Sequence, residues 1–226
     1  MAGALISGAL NRAVHRYRTA PFGVRLFVHG RAFLSDLAFV ERYVPRTGFI
    51  VELGCGHGLF SCLLREASDR RRVLGQDLDG RKIATATVAA GATEGLRFEV
   101  ADALATVPPH CDAIAIVDVL YLLSFAEQEQ VLRNAAASLG EGAPLVVKAQ
   151  ERRRDARYAL TYGQELVTVS LGLTRRQGHG RERFFFPTRD ESLAMFERAG
   201  FKLEVVEMPK RPYTGVLYLA RRAPAV

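Results

Sequence analysis

The chain has 226 residues, 49% of them hydrophobic, which suits one globular domain with at most a small subdomain. No apolar run reaches the ~20 residues that a bilayer-spanning helix needs. Met1–Leu10 lacks the basic start of a signal peptide, so a cytoplasmic protein is expected.

A formal charge of +7 is compatible with nucleic acid, anionic lipid or an acidic substrate as partner, and equally with arginine-rich composition and no polyanionic partner. Cys55, Cys62 and Cys111 form no C-x-x-C pair and have no histidine at zinc spacing. They read as reduced packing thiols, and no metal site is expected.

Residues 1–46 read as an N-terminal helical cap. One helix is predicted over Ala4–Arg18, broken by Ala20-Pro21-Phe22-Gly23, and a second from about Val24 to Val44, ended by Pro45. Leu26, Gly30, Phe33, Leu34, Leu37, Val40 and Val44 share one stripe at helical spacing, the side expected to pack on the core. Arg12, His15, Arg16, Arg18, Arg25, His29 and Arg31 make the region basic, and the alternative reading is peripheral membrane contact.

Phe49-Ile50-Val51-Glu52-Leu53-Gly54-Cys55-Gly56-His57-Gly58 is the most informative stretch. A short apolar run ends in a carboxylate and is followed by three glycines at alternate positions, the pattern of a buried strand turning tightly into a helix. A dinucleotide fingerprint would be G-x-G-x-x-G facing a pyrophosphate. Here the third glycine comes one residue early, and Glu52 would repel a pyrophosphate but suit a cationic ligand. The run resembles motif I of the class I S-adenosylmethionine (SAM) methyltransferases.

The following elements extend the resemblance over roughly residues 48–150. Arg72–Asp77 reads as a second strand, and Asp77 lies 23 residues after Gly54, near the ~20 expected of a carboxylate that accepts from ribose hydroxyls. Leu96–Val100 reads as a third strand and Asp112–Asp118 as a fourth, buried one. Leu139–Lys148 supplies a turn and a fifth strand. Intervening helices are predicted near Leu59–Glu66, Gly80–Ala90 and Phe125–Leu139, with Asp79 as an N-cap. Such alternation predicts a parallel sheet covered on both faces, with ligands beyond the C-terminal strand ends.

The resemblance implies an α/β, Rossmann-like, seven-stranded and mostly parallel sheet whose last strand is antiparallel. It implies SAM as cofactor, released as S-adenosylhomocysteine (SAH). The residues expected to bind it are Glu52, Gly54, Cys55, Gly56, Gly58, Asp77, Leu78, Asp102, Ala103 and Asp118, with Asp102 accepting from the adenine amino group. The N-terminal helices would cover the SAM pocket.

Residues 47–226 then form the methyltransferase domain, interrupted at 151–187 by an arginine-rich insert with the look of a substrate lid. Thr188 and Glu191 form a capping-box signature for a helix ending at Gly200, and Phe201–Glu207 and Tyr213–Ala220 read as the last strands.

The expected function is methyl transfer from SAM to a small-molecule or lipid-like acceptor, neutral or anionic. An RNA methyltransferase or a non-catalytic partner subunit are the alternatives. Nucleic acid is disfavoured because no Asn-Pro-Pro-Tyr-type motif follows the fourth strand; Asp118-Val119-Leu120-Tyr121 stands there instead. No catalytic residue is assigned. Tyr121, Tyr162, Glu165 and His179 are acceptor-side candidates, each with an ordinary packing or surface reading beside it. The sequence does not fix the oligomeric state.

Overall fold

The computed structural model describes residues 2–152, 184–209 and 215–223, with side chains from Gly8 onward. In chain order the elements are α1 (Ala2–His15), α2 (Phe22–Leu34), α3 (Leu37–Glu41), β1 (Gly48–Leu53), α4 (Leu59–Ala67), β2 (Arg71–Asp77), α5 (Gly80–Ala90), β3 (Leu96–Val100), β4 (Ala113–Val117), α6 (Phe125–Ser138), β5 (Pro144–Ala149), α7 (Arg189–Arg198), β6 (Phe201–Glu207) and β7 (Val216–Arg222). They build a seven-stranded sheet in the order β3-β2-β1-β4-β5-β7-β6. β1 to β5 pair in parallel, and β7 runs antiparallel to both β5 and β6.

β4 shows why the sheet is covered on both faces. All five of its residues are buried, and they alternate between two cores. Ala113, Ala115 and Val117 face the cluster that holds α1 to α4, while Ile114 and Ile116 face the cluster that holds α6 and α7. A strand with no solvent face needs an unbroken apolar run, which is what Ala113–Val117 provides. The strand order reverses between β1 and β4, so the C-terminal ends of β1, β2 and β4 open onto a crevice at the switch point.

Local signals set the helix boundaries. Asp79 caps α5 by accepting from the Arg81 amide at 3.0 Å. Capping boxes start α6, from Ser124 and Glu127, and α7, from Thr188 and Glu191. Among the described residues no helix is long and apolar enough to cross a membrane.

The N-terminal region departs from expectation in two respects. The helix expected over 24–44 is two helices, because Asp36 takes a left-handed φ of 46° and breaks the run between α2 and α3. The expected core stripe also splits at that break. Leu37, Val40 and Val44 are buried, whereas Leu26 and Phe33 point outward. The turn at Asp36 rotates the later helix relative to the earlier one, so a single periodicity cannot describe both.

α3 is bolted to the sheet by a buried ion pair. Arg71 donates to Glu41 at 2.7 Å and to the carbonyls of Pro45, Val44 and Leu64 at 2.6, 2.8 and 2.8 Å. Burying a guanidinium is tolerable only when its donors are satisfied in this way.

Candidate active site

The loop from Gly54 to Gly58 closes the C-terminal end of β1. Gly54, Gly56 and Gly58 have φ of 71°, 57° and 82°, a region that L side chains rarely enter. Their surroundings differ. A Cβ on Gly54 would lie 2.5 Å from the Val119 side chain, and one on Gly58 would lie 2.6 Å from Phe98. A Cβ on Gly56 would meet nothing within 4 Å. Gly54 and Gly58 are therefore required by packing as well as by backbone, while Gly56 leaves open space.

That space belongs to a cleft of about 650 Å³ at the switch point. Gly54, Cys55, Gly56, Asp77, Leu78, Asp102, Ala103 and Asp118 all line it. Asp77, at the end of β2, accepts from the Gly56 amide through Oδ2 at 2.8 Å and from the Asp79 amide through Oδ1 at 2.9 Å. It thus fixes the glycine loop, and each oxygen keeps a lone pair for a ligand hydroxyl. Asp102 accepts from the Leu104 amide through Oδ1 at 2.9 Å, and its Oδ2 has no partner among the described residues.

Glu52 and Gly58 are not among the cleft-lining residues. Glu52 is buried behind the loop and accepts a hydrogen bond from the Ser61 hydroxyl. Burial pushes its carboxyl up to about 7.

Asp118 sits at the end of β4 in a left-handed conformation, φ 56°. Lys148, from the end of β5, donates to both of its carboxylate oxygens at 2.6 and 2.7 Å. Arg31, reaching in from α2, lies 3.7 Å from Asp118 Oδ2 and donates to the Val117 carbonyl at 2.9 Å. Asp118 therefore meets the cleft as part of a cluster of one acid and two cations.

α2 forms one wall of the cleft through Phe27 and Arg31. Phe27 packs edge-on against His57, whose Nδ1 is buried without a hydrogen-bond partner. Desolvation lowers the His57 pKa, which favours the neutral imidazole. Tyr17, just past α1, donates to the His57 carbonyl at 2.6 Å, and this joins the N-terminal helices to the glycine loop. The wall residues Phe27 and Arg31 were not singled out as site residues from the sequence. Their signal was a four-residue spacing on α2 that the apolar stripe did not include.

Tyr121 lies outside the cleft lining. Its ring is buried, stacked on Phe186 at 5.2 Å and edge-on to Phe184 at 5.8 Å. Tyr162, Glu165 and His179 lie outside the described residues.

Residues 50–142 match the family described as "Methyltransferase domain". Over this stretch, less than half of the chain, the sequence is similar to methyltransferase domains.

Solved methyltransferase structures share the fold. The pyocyanin biosynthetic protein PhzM is 19% identical, with a TM-score of 0.68 over 92% of this chain and 60% of its own. Magnesium protoporphyrin IX methyltransferase from Synechocystis, with bound SAH, is 18% identical, with a TM-score of 0.64 over 96% and 95%. An O-methyltransferase family 2 protein from Planctomyces limnophilus, in complex with apigenin, is 16% identical, with a TM-score of 0.68 over 94% and 65%. The chain thus spans 60% of the length of PhzM. At these identities the likeness is one of fold. No curated protein matches the sequence significantly.

The chemistry of the cleft would suit SAM. Open space at Gly56, a half-satisfied carboxylate at Asp102 and an unpartnered buried His57 nitrogen are features that a polar, close-fitting ligand would complete.

Proposed function

We propose that the chain transfers a methyl group from SAM to a small-molecule or lipid-like acceptor. The observation that carries this reading is the arrangement around Gly56: an open glycine face in a cleft lined by carboxylates at the ends of β2 and β3 and by Phe27 and Arg31 of α2.

In this reading Asp77 holds the ribose and Asp102 the adenine amino group. Arg31, as the cation of the α2 wall, holds the methionine carboxylate, and the Val117–Asp118 end of β4 receives the ammonium. SAM supplies a methyl already activated on a sulfonium. What remains for the protein is to orient the acceptor and exclude water, which accounts for much of the rate in such a transfer. Leu53, Val119, Leu122 and Leu123 give the cleft an apolar lining suited to that task.

Apigenin beside one structural relative, and a magnesium porphyrin as the named substrate of another, support a small organic acceptor. The RNA alternative needs an exposed stacking platform. The one aromatic run, Phe184–Phe186, packs instead against Tyr121 and Phe125, and this favours the small-molecule reading. The three free, buried cysteines suit the cytoplasm. We assign the acceptor side to the insert, residues 151–187.

The test is incubation of the full chain with methyl-labelled SAM and three acceptor pools: phenolic and carboxylic small molecules, a lipid extract, and tRNA. Label in the first or second pool supports the proposal. Label confined to tRNA favours the alternative, and SAH binding without transfer to any pool favours a non-catalytic subunit.

A further inference from the structure

Two observations on the N-terminal helices remain outside the cofactor site. The first is the outer face of α2. At 100° per residue, Phe22, Leu26 and Phe33 lie within about 40° of one another around the helix. They are 77%, 63% and 73% exposed. The opposite side of the same helix carries Val28 into the core and Phe27 and Arg31 into the cleft. α2 is therefore apolar on both sides. Large exposed apolar side chains gathered on one helix face mark an interaction surface more often than scattered ones do.

The second observation is a groove of about 530 Å³ between α1 and α2, alongside that stripe. Leu10, Val14 and Ala32 supply its apolar part, and His15, Arg18, Arg25 and His29 its basic part. Among the described residues no acidic residue lines it. The side chains of Arg18 and Arg25 make no ion pair or hydrogen bond among the described residues. In this they differ from Arg12 and Arg16 of the same region, which are held by Glu66. Arg18 and Arg25 are thus cations without a partner among the described residues, beside the exposed Phe22 and Leu26.

We propose that the outer face of α2, together with this groove, docks on an anionic lipid surface. Apolar side chains at the centre of a helix face and basic ones at its edge are the chemistry of a helix lying in the plane of a bilayer interface. The +7 charge of the chain adds long-range attraction to such a surface. A neutral or acidic protein partner would use the stripe and leave the unpaired arginines unexplained; a nucleic acid would use the arginines and leave Phe22 and Leu26 unexplained. Docking goes beyond the methyl-transfer reading. Only its consequence rests on that reading: α2 is also the cleft wall, so docking brings the cleft to the membrane, where a lipid-like acceptor is delivered.

The experiment is flotation of the full chain with vesicles of phosphatidylcholine alone and of phosphatidylcholine mixed with phosphatidylglycerol, at low and high salt. Phe22→Ser/Leu26→Ser and Arg18→Glu/Arg25→Glu are compared with wild type, and SAH calorimetry reports whether each remains folded.

Wild type is expected to bind only the anionic vesicles, and less at high salt. Each double variant is expected to lose roughly tenfold or more in vesicle affinity while keeping its SAH affinity. If a double variant misfolds, Leu26→Ser and Arg25→Glu alone serve, with smaller losses expected.

The proposal is overturned by absence of binding to anionic vesicles, by equal binding to both vesicle types, or by folded variants that bind as wild type does. It is also overturned if wild type binds no vesicles but forms a dimer that Phe22→Ser/Leu26→Ser returns to monomer, since the face would then belong to a second copy. Vesicle binding without SAH binding would leave docking intact and sink the methyl-transfer reading; SAH binding without vesicle binding would do the reverse.

Discussion

Gly54 and Gly56 offer a paired perturbation that separates packing from ligand space. Both have left-handed backbones, so alanine at either position costs about 1–2 kcal/mol in conformational strain. For Gly56→Ala nothing more is expected, because the new Cβ meets no protein atom within 4 Å. For Gly54→Ala the Cβ would lie 2.5 and 2.8 Å from the two Val119 methyls, and displacing a packed side chain adds about 1–3 kcal/mol. Urea unfolding should therefore rank Gly54→Ala as the less stable variant by about that difference. Calorimetry with SAH should show the Gly56→Ala protein folded yet weakened in cofactor binding by roughly 100-fold or more, about 2.7 kcal/mol. Wild-type SAH affinity in Gly56→Ala would refute the argument that the open space at this glycine is where the cofactor lies.

Three further outcomes follow from the buried charges. Glu52 titrates near 7 in the folded chain against 4.5 unfolded, so the folded state holds the proton more tightly. Its contribution to stability is greatest below pH 4.5 and falls by about 3 kcal/mol as pH rises to about 7, then stays level. Glu52→Gln, compared with wild type in melts at pH 5 and pH 8, should gain stability relative to wild type at the higher pH; an equal difference at both would contradict the burial of an ionisable carboxyl. Lys148→Met leaves Asp118, in a buried place, with the longer Arg31 pair at 3.7 Å alone and should cost about 3–5 kcal/mol in chemical unfolding; a neutral effect would mean the Lys148 pair is dispensable. Arg31→Ala should weaken SAM binding about tenfold or more through loss of a charge-assisted contact, with little change in melting temperature; unchanged affinity would remove Arg31 from the cofactor's carboxylate.

The sheet was legible because its signals are local and repeated. Each parallel strand is a short apolar run with turn residues after it, and Glu52, Asp77 and Asp118 fall at or next to the C-terminal ends of β1, β2 and β4, as the pattern required. Thr188 and Glu191 announced α7 by chemistry that acts within four residues. What depends on contacts between distant segments was harder to read. Helical spacing found an apolar stripe on residues 26–44, but periodicity gives a face without saying what the face meets. The left-handed turn at Asp36 and the outward position of Leu26 leave no mark in the periodicity.

Lys148 was expected to end the fifth strand. That it holds Asp118 follows from the β4–β5 register, which aligns Val117 with Lys148. Tyr121 lies one short turn past β4, close to the cleft in sequence, yet Phe184 and Phe186 from 60 residues later draw its ring into an aromatic cluster.

The central claim is that the carboxylates at the strand ends cradle the adenosyl part of SAM, and Asp77 tests it most directly. Titration of SAH into the purified full chain should give one binding site per chain, and the same titration into Asp77→Ala should lose roughly 1.5–3 kcal/mol of binding free energy or more. No heat with the wild-type chain, or the same affinity in the variant, would contradict the account.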